Sequence, residues 1–484
     1  MSRGRGRASR RPAVQRRTGR LAAVAAAATA AVAALVLALG GGGAPRLPLP
    51  GVGRPPRGGD PFAYVPGRAA EFTARATAGE AHPLFALSPG GAVATAARVA
   101  RWRGLIDAVT SGTPVDPGVL EGIVFLESAG QPGAIAGGDP AAAAGLTQIV
   151  ASTGQSLLGM HIDLARSRAL TRQIVAAQAL GQTGRAARLQ ALRARADDRF
   201  DPRRALAATV RYLELARARF GRGDLAVEAY HMGIGNLQSV LDAYDGGAPV
   251  PYVQLYFDTS LDHHPAAYAL LSSFGDDSWT YYWRVLAAVQ IMSLYRSDRA
   301  ALRRLAGLET DAGSAAEVLH PPDRTPVLAD PDAVARAYAR RDLVPLPRNA
   351  AELGLRYSPA MAALARQLGA PAGLYRGLRA PALDLLIELA ARVRALAGGG
   401  APLLVTGTVL DRRAQRHLGI DDPPAAAGWS FTFARTYSSE RQRAAVQAML
   451  DRLQSLNLIA WQRYPAEIEV TVASDADRVI VGGV

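Results

Sequence analysis

Glu127 closes the apolar run Asp116-Pro-Gly-Val-Leu-Glu-Gly-Ile-Val-Phe-Leu-Glu127-Ser-Ala-Gly130, and the types and spacing of these residues describe a short helix ending in a carboxylate. Asp116 suits the capping position, Pro117 the first helical position and Gly130 the stop. Leu120, Ile123 and Val124 precede Glu127 by seven, four and three residues, so the carboxylate falls on or beside the stripe that packs inward. A carboxyl group on an apolar stripe is costly to ionise, its pKa rises, and it can hold a proton near neutral pH and deliver it to a leaving oxygen. The plainer reading of the same residue is a glutamate snorkelling at the edge of a core. Glu121, in the first helical turn, reads as a structural charge favoured by the helix dipole.

The elements that must position such a group are helical. From 69 to 298, apolar residues recur at three- and four-residue spacing over 94–109, 117–128, 164–195, 202–219, 225–230, 236–244 and 279–295, without a long alternating strand. Three segments of this region, taken together, resemble the lytic transglycosylases and the related goose-type lysozymes, which cleave bacterial peptidoglycan. Glu127-Ser128-Ala129-Gly130-Gln131-Pro132 is similar to the family's Glu-Ser block. Ala144-Gly145-Leu146-Thr147-Gln148-Ile149 resembles its Gly-Leu-Met-Gln-Ile block. Ala229-Tyr230-His231-Met232-Gly233-Ile234-Gly235-Asn236 resembles its Ala-Tyr-Asn-Ala-Gly block, preceded by Tyr212-Leu213 and Phe220-Gly221.

The resemblance implies a lysozyme-like fold, no cofactor, peptidoglycan glycan strands as partner, and Glu127 as the catalytic acid. Most glycosidases pair the acid with a second carboxylate. The family implies none. It implies instead that the same glutamate later acts as base while the sugar's own 6-hydroxyl closes on the anomeric carbon, leaving a 1,6-anhydro end. Ser128 and Gln148 are suitable donors to the sugar, and Tyr230 could hold the carboxyl through its hydroxyl. His231 stands where the family usually has asparagine. There it either carries charge below neutrality and shifts the titration of Glu127, or is merely hydrogen-bonded in the turn. The helical stretch 160–201 exceeds a minimal family domain, and from sequence it either walls the groove or packs outside it. A hydrolytic muramidase and a non-catalytic peptidoglycan-binding scaffold are the rival readings.

Other clusters are poorer. Glu228 and His231 form one Glu-x-x-His, whereas a carboxylate-bridged dimetal site needs two. His263-His264 reads as an adjacent pair on opposite sides of a surface loop rather than a ligand set. No metal site is expected.

The chain has 484 residues, no cysteine, and a formal charge of +14 in which every basic residue is arginine. Eight of those charges belong to residues 1–20, which leaves +6 for the rest and little basis for nucleic-acid binding. This basic tail precedes an uncharged apolar run at 21–39, long enough to span a bilayer, and the flanking charge orients the tail inside and the bulk of the chain outside. The expected order is therefore basic tail 1–20, transmembrane anchor 21–39, Gly/Pro-rich tether 40–68, the transglycosylase-like domain 69–298, a linker 299–340 and a smaller α+β domain 341–484: a mainly α protein in the cell membrane. Cell-wall synthesis or division proteins are open as further partners.

Within the last domain, Tyr375 to Val472 resembles the zinc-dependent D-alanyl-D-alanine peptidases that trim the stem peptides of the same polymer. The residues carrying this are Leu403-Leu404-Val405-Thr406-Gly407, Gln415, Gly428 to Thr432, Leu458 to Trp461 and Ile468 to Val472. If Gly428 is the glycine of the family's metal block, Ala425, Thr432 and Glu469 stand at or near the positions of its ligands, so the resemblance implies a peptidase fold without its zinc.

Overall fold

The computed structural model describes residues 60–310 and 314–480. The basic tail and the apolar run 21–39 lie outside the described residues, among which no helix is long and apolar enough to cross a membrane. The described residues are mainly helical, with a five-stranded sheet and a two-stranded one in the C-terminal part.

Four helices matter for the site: α1 (Pro117–Ser128), α2 (Pro202–Phe220), α3 (Gly223–Met232) and α4 (Tyr281–Ser297). The capping inference for α1 holds, since Asp116 Oδ1 accepts a 2.6 Å hydrogen bond from the Gly118 amide. The helix ends through left-handed Ala129 and Gly130, whose amides reach back to the carbonyls of Phe125 and Val124. Leu120, Ile123 and Val124 are fully buried, each contributing about 1.5–3 kcal/mol of apolar burial. Between them Gly122 lets α4 lie against α1, because a Cβ there would sit 2.9 Å from the Val285 carbonyl oxygen. Glu121 is also completely buried, on a salt bridge of 2.6 Å to Arg296 of α4. Its role is thus structural, through an ion pair more than through the helix dipole.

Two expected helices are split. The 94–109 stretch forms Ala92–Ala100 and Arg103–Thr110, interrupted where Trp102 turns its ring nitrogen to the Gly130 carbonyl at 2.9 Å. The 164–195 stretch folds into a hairpin of Leu164–Ala179 and Thr183–Ala196, turning at Gly181 in left-handed conformation.

The sheet has five strands, β1 (Leu355–Tyr357), β2 (Leu403–Gly407), β3 (Ser430–Ala434), β4 (Ile459–Arg463) and β5 (Glu467–Val472), in the order β1-β2-β3-β5-β4. Only β1 and β2 run parallel. Helices Ala380–Leu396 and Glu440–Ser455 supply its apolar cover.

In the stretch 299–340, expected as a linker, the described residues include three helices. These are Arg299–Thr310, Ser314–Leu319 and Pro331–Ala339, and Leu328 is pinned to Ala426 and Arg412 by backbone hydrogen bonds. The sequence cues were Pro321, Pro322 and Pro326, which break helices locally without freeing the chain between them. Helical and sheet-bearing parts share one hydrophobic cluster that includes Phe72, Tyr256 and Phe257 on one side and Met449 and Leu453 on the other. Polar ties cross the same seam: Arg75 to Asp475 at 3.0 Å, Tyr256 to Ser455 at 2.7 Å, and His320 Nε2 to the Val472 carbonyl at 2.6 Å.

Candidate active site

Helix α1 carries Glu127 into a cleft of about 510 Å³ whose lining includes Leu84, Phe125, Gln148, His231, Tyr281 and Arg284. The side chain keeps part of its surface open to the cleft, while protein packs densely around the carboxyl. Burial pushes its pKa up to about 7, against the opposing pull of a hydrogen bond from Tyr281. That bond runs from Tyr281 Oη to Glu127 Oε1 at 2.7 Å. A group poised there is both a competent acid and, once ionised, a competent base.

Tyr281 is the residue that sequence reasoning missed. It opens α4, and the close approach of α4 to α1 at Gly122 brings its hydroxyl to the carboxyl 154 residues away in sequence. The available signal was the aromatic run Tyr281-Tyr282-Trp283, which reads equally well as core. Burial and the neighbouring Glu127 raise the Tyr281 pKa well above its ordinary value, so it remains a donor throughout the working range.

The role assigned to Tyr230 needs correction. Its hydroxyl donates to the Thr147 carbonyl at 2.7 Å and lies 3.2 Å from Thr209 Oγ1, tying α3 to the 144–149 segment and to α2. Tyr230 is not among the residues lining the cleft; its ring stacks beside that of Tyr281 at 6.4 Å. Ser128 does line the cleft, but it is buried and donates to the Leu146 carbonyl at 2.7 Å, so its hydroxyl joins the first two sequence blocks instead of meeting the sugar. Gln148 lines the cleft in left-handed conformation, with its amide nitrogen held by the carbonyls of Gly145 and Ala134 at 2.8 and 3.2 Å. His231 stacks face to face on Tyr281, rings 4.9 Å apart, with Nδ1 3.2 Å from Ser278 Oγ. It therefore bears on the Glu127–Tyr281 pair from the solvent side.

The Gln148 loop is pinned from beneath. Arg199, fully buried, pairs with Asp197 at 2.7 Å and donates to the carbonyls of Pro140, Ala142 and Ile149. Gly145 passes so close to it that a Cβ would lie 1.9 Å from the Arg199 carbonyl oxygen. None of residues 160–201 lines the cleft, so the helical hairpin packs outside it and acts through this buttress.

Glu228 is completely buried behind the site. Its Oε2 accepts from the Tyr282 amide at 2.9 Å, and burial pushes its pKa up to about 8. With His231 exposed and Glu228 enclosed, the Glu-x-x-His pair points to no shared ion. In the sheet-bearing part, Thr432 and Glu469 are cross-strand partners on β3 and β5, and Ala425 is buried in the short helix Pro423–Ala426. Burial, then the adjacent Asp422, pushes the Glu469 carboxyl up to about 8.

Residues 104–248 match the family described as the transglycosylase SLT domain. That stretch is similar to lytic transglycosylase domains. It spans all three sequence blocks and makes the chain an enzyme acting on peptidoglycan. No curated protein and no solved structure matches the chain. The matched stretch stops short of α4, so Tyr281, which holds the carboxyl, lies outside it.

Proposed function

We propose that the transglycosylase domain cleaves the β-1,4 bond between N-acetylmuramic acid and N-acetylglucosamine, with Glu127 as acid and then base, leaving 1,6-anhydro ends. In the first step the Glu127 carboxyl gives its proton to the bridging oxygen and the bond from that oxygen to the anomeric carbon breaks. In the second, the carboxylate takes the proton of the 6-hydroxyl as that oxygen bonds to the anomeric carbon. No water is consumed.

The observation that carries this reading is the state of Glu127: a carboxyl held by Tyr281, titrating near neutrality, and the sole acid among the described residues lining the cleft. A water-activating mechanism calls for a second carboxylate about 6.5–9.5 Å away, and a covalent one for a partner at about 5–5.5 Å. Intramolecular attack needs neither. Glu127→Gln keeps the shape and the acceptor for Tyr281 but has no proton to give, so turnover on purified peptidoglycan is expected to fall by at least about 10²–10⁴-fold with folding intact. Mass analysis of the wild-type products tests the rest. Anhydro muropeptides, lighter by one water than reducing ends, support the proposal; reducing ends make the domain a muramidase, and full activity of the folded glutamine variant removes Glu127 from the mechanism.

We place the enzyme outside the cell membrane, held by the apolar run 21–39 with its arginine tail inside. That reading rests on the length of the run and the arginines before it.

A further inference from the structure

Adjacent side chains on extended backbone point to opposite faces, which made His263-His264 a poor ligand pair on paper. The backbone of His264 is instead left-handed, at φ 49° and ψ 50°, immediately before the helix Pro265–Ser273. That turn swings both imidazoles toward one carboxylate, Asp258, the last residue of the helix Tyr252–Asp258. His263 Nδ1 lies 3.4 Å from Asp258 Oδ1 and His264 Nε2 lies 3.7 Å from Asp258 Oδ2. One ligand atom from each of the three residues falls within 4.8 Å of the other two. Donors about 2.0–2.2 Å from a tetrahedral ion stand about 3.3–3.6 Å from one another, so the two carboxylate–imidazole spacings already match closely, and a pair at the 4.8 Å limit would close by rotation of the exposed His263 ring.

We propose that Asp258, His263 and His264 form a binding site for a borderline divalent cation, zinc foremost, with water in the fourth position. Two imidazoles and one carboxylate suit zinc and exclude calcium and magnesium, which demand oxygen-rich shells. The site also has the outer support that metal ligands require. Tyr244 Oη donates to Asp258 Oδ2 at 2.6 Å, Gln254 Nε2 donates to Tyr244 Oη at 3.1 Å, and the Tyr244 ring packs on His264 at 4.3 Å. The loop carrying the histidines is closed on itself: the Ser260 amide donates to the His263 carbonyl at 2.7 Å, and the His263 amide donates to Ser260 Oγ at 3.0 Å. Without metal, His263 Nδ1 faces the Asp258 carbonyl at 2.7 Å and carries the proton of that hydrogen bond. Binding an ion through Nδ1 moves that proton to Nε2 of the neutral ring.

None of the three residues lines the Glu127 cleft. The site staples two helices beside Thr259, whose carbonyl accepts from Arg452 of the sheet-bearing part. Its expected effect is therefore on the stability of the seam between the two parts and not on the chemistry.

The test uses the full chain, purified without a histidine tag, stripped with chelator and dialysed against zinc. One zinc per chain, a melting temperature that rises with zinc, and at least a tenfold loss of affinity in both His263→Ala and His264→Ala are expected, with glycan cleavage within twofold of wild type. Cobalt(II) titration of the unmodified chain provides a readout independent of any variant, because a tetrahedral site gives strong visible absorption that excess zinc displaces. Failure to bind either ion at micromolar concentration, zinc binding undiminished by both substitutions, or equal affinity for calcium would overturn the proposal.

Discussion

Removing one hydroxyl tests the electrostatics of the active site. Tyr281→Phe keeps the ring that stacks on His231 and lies beside Tyr230, and deletes only the donor to Glu127 Oε1. That hydrogen bond stabilises the ionised carboxylate and so opposes the burial that raises its pKa to about 7. A hydrogen bond to a charged group contributes about 1.5–3 kcal/mol, and one pKa unit corresponds to about 1.4 kcal/mol, so its loss raises the Glu127 pKa by roughly one to two units. As an acid, Glu127 works while protonated, and activity declines as pH rises through its pKa. The descending limb of kcat/KM, which reports the free enzyme, is therefore expected near neutrality in wild type and about one to two units higher in the variant. Part of the positioning of the carboxyl is lost as well, so the plateau on the acid side falls, by about tenfold if roughly 1.4 kcal/mol of orientation is lost. The assay is the initial rate of muropeptide release from purified peptidoglycan, run from about pH 4 to about pH 9 to bracket both limbs. A limb that stays in place or moves to lower pH would refute the argument, since it would mean that Tyr281 does not set the proton affinity of Glu127.

Gly145→Ala should destabilise by about 1–3 kcal/mol or more and loosen the Gln148 loop, because its Cβ meets the Arg199 carbonyl oxygen at 1.9 Å on a backbone with φ +83°; denaturant midpoints measure this, and a neutral result would mean that the loop is not pinned there. Glu228→Gln addresses a carboxyl whose pKa rises from 4.5 to about 8 on folding. Between those values the folded chain keeps a proton that the unfolded chain releases, so wild-type stability declines as pH rises through this window and levels off above it. The stability of the glutamine variant relative to wild type should improve by on the order of 3–5 kcal/mol across the window, and a difference independent of pH would refute burial of the neutral acid.

Local order was legible in the sequence because it depends on neighbours in the chain. The Asp116 cap, the Pro117 start and the buried stripe of Leu120, Ile123 and Val124 follow from helix periodicity and from the unsatisfied amides of a first turn. The same logic reads the runs 402–409, 429–433, 458–461 and 468–472 as strands, which match β2 to β5 within a residue or two, since β-branched and aromatic runs favour extended backbone. The carboxyl itself was legible from its apolar surroundings and from three blocks in order.

What holds that carboxyl was decided only in three dimensions. Nothing in the neighbourhood of Tyr230 or Tyr281 says which hydroxyl reaches Glu127; that follows from α4 crossing α1 at Gly122 and from Thr147 claiming the hydroxyl of Tyr230. Ser128 was spent for the same kind of reason, its hydroxyl answering a buried carbonyl 18 residues away that no local pattern reveals. The supposed linker became structure because Leu328 found backbone partners at Ala426 and Arg412, and the histidine pair converged because one residue adopted a left-handed backbone. Periodicity fixes which face of an element turns inward, whereas the partner of a polar side chain depends on which elements meet, and that is set by packing across the whole chain.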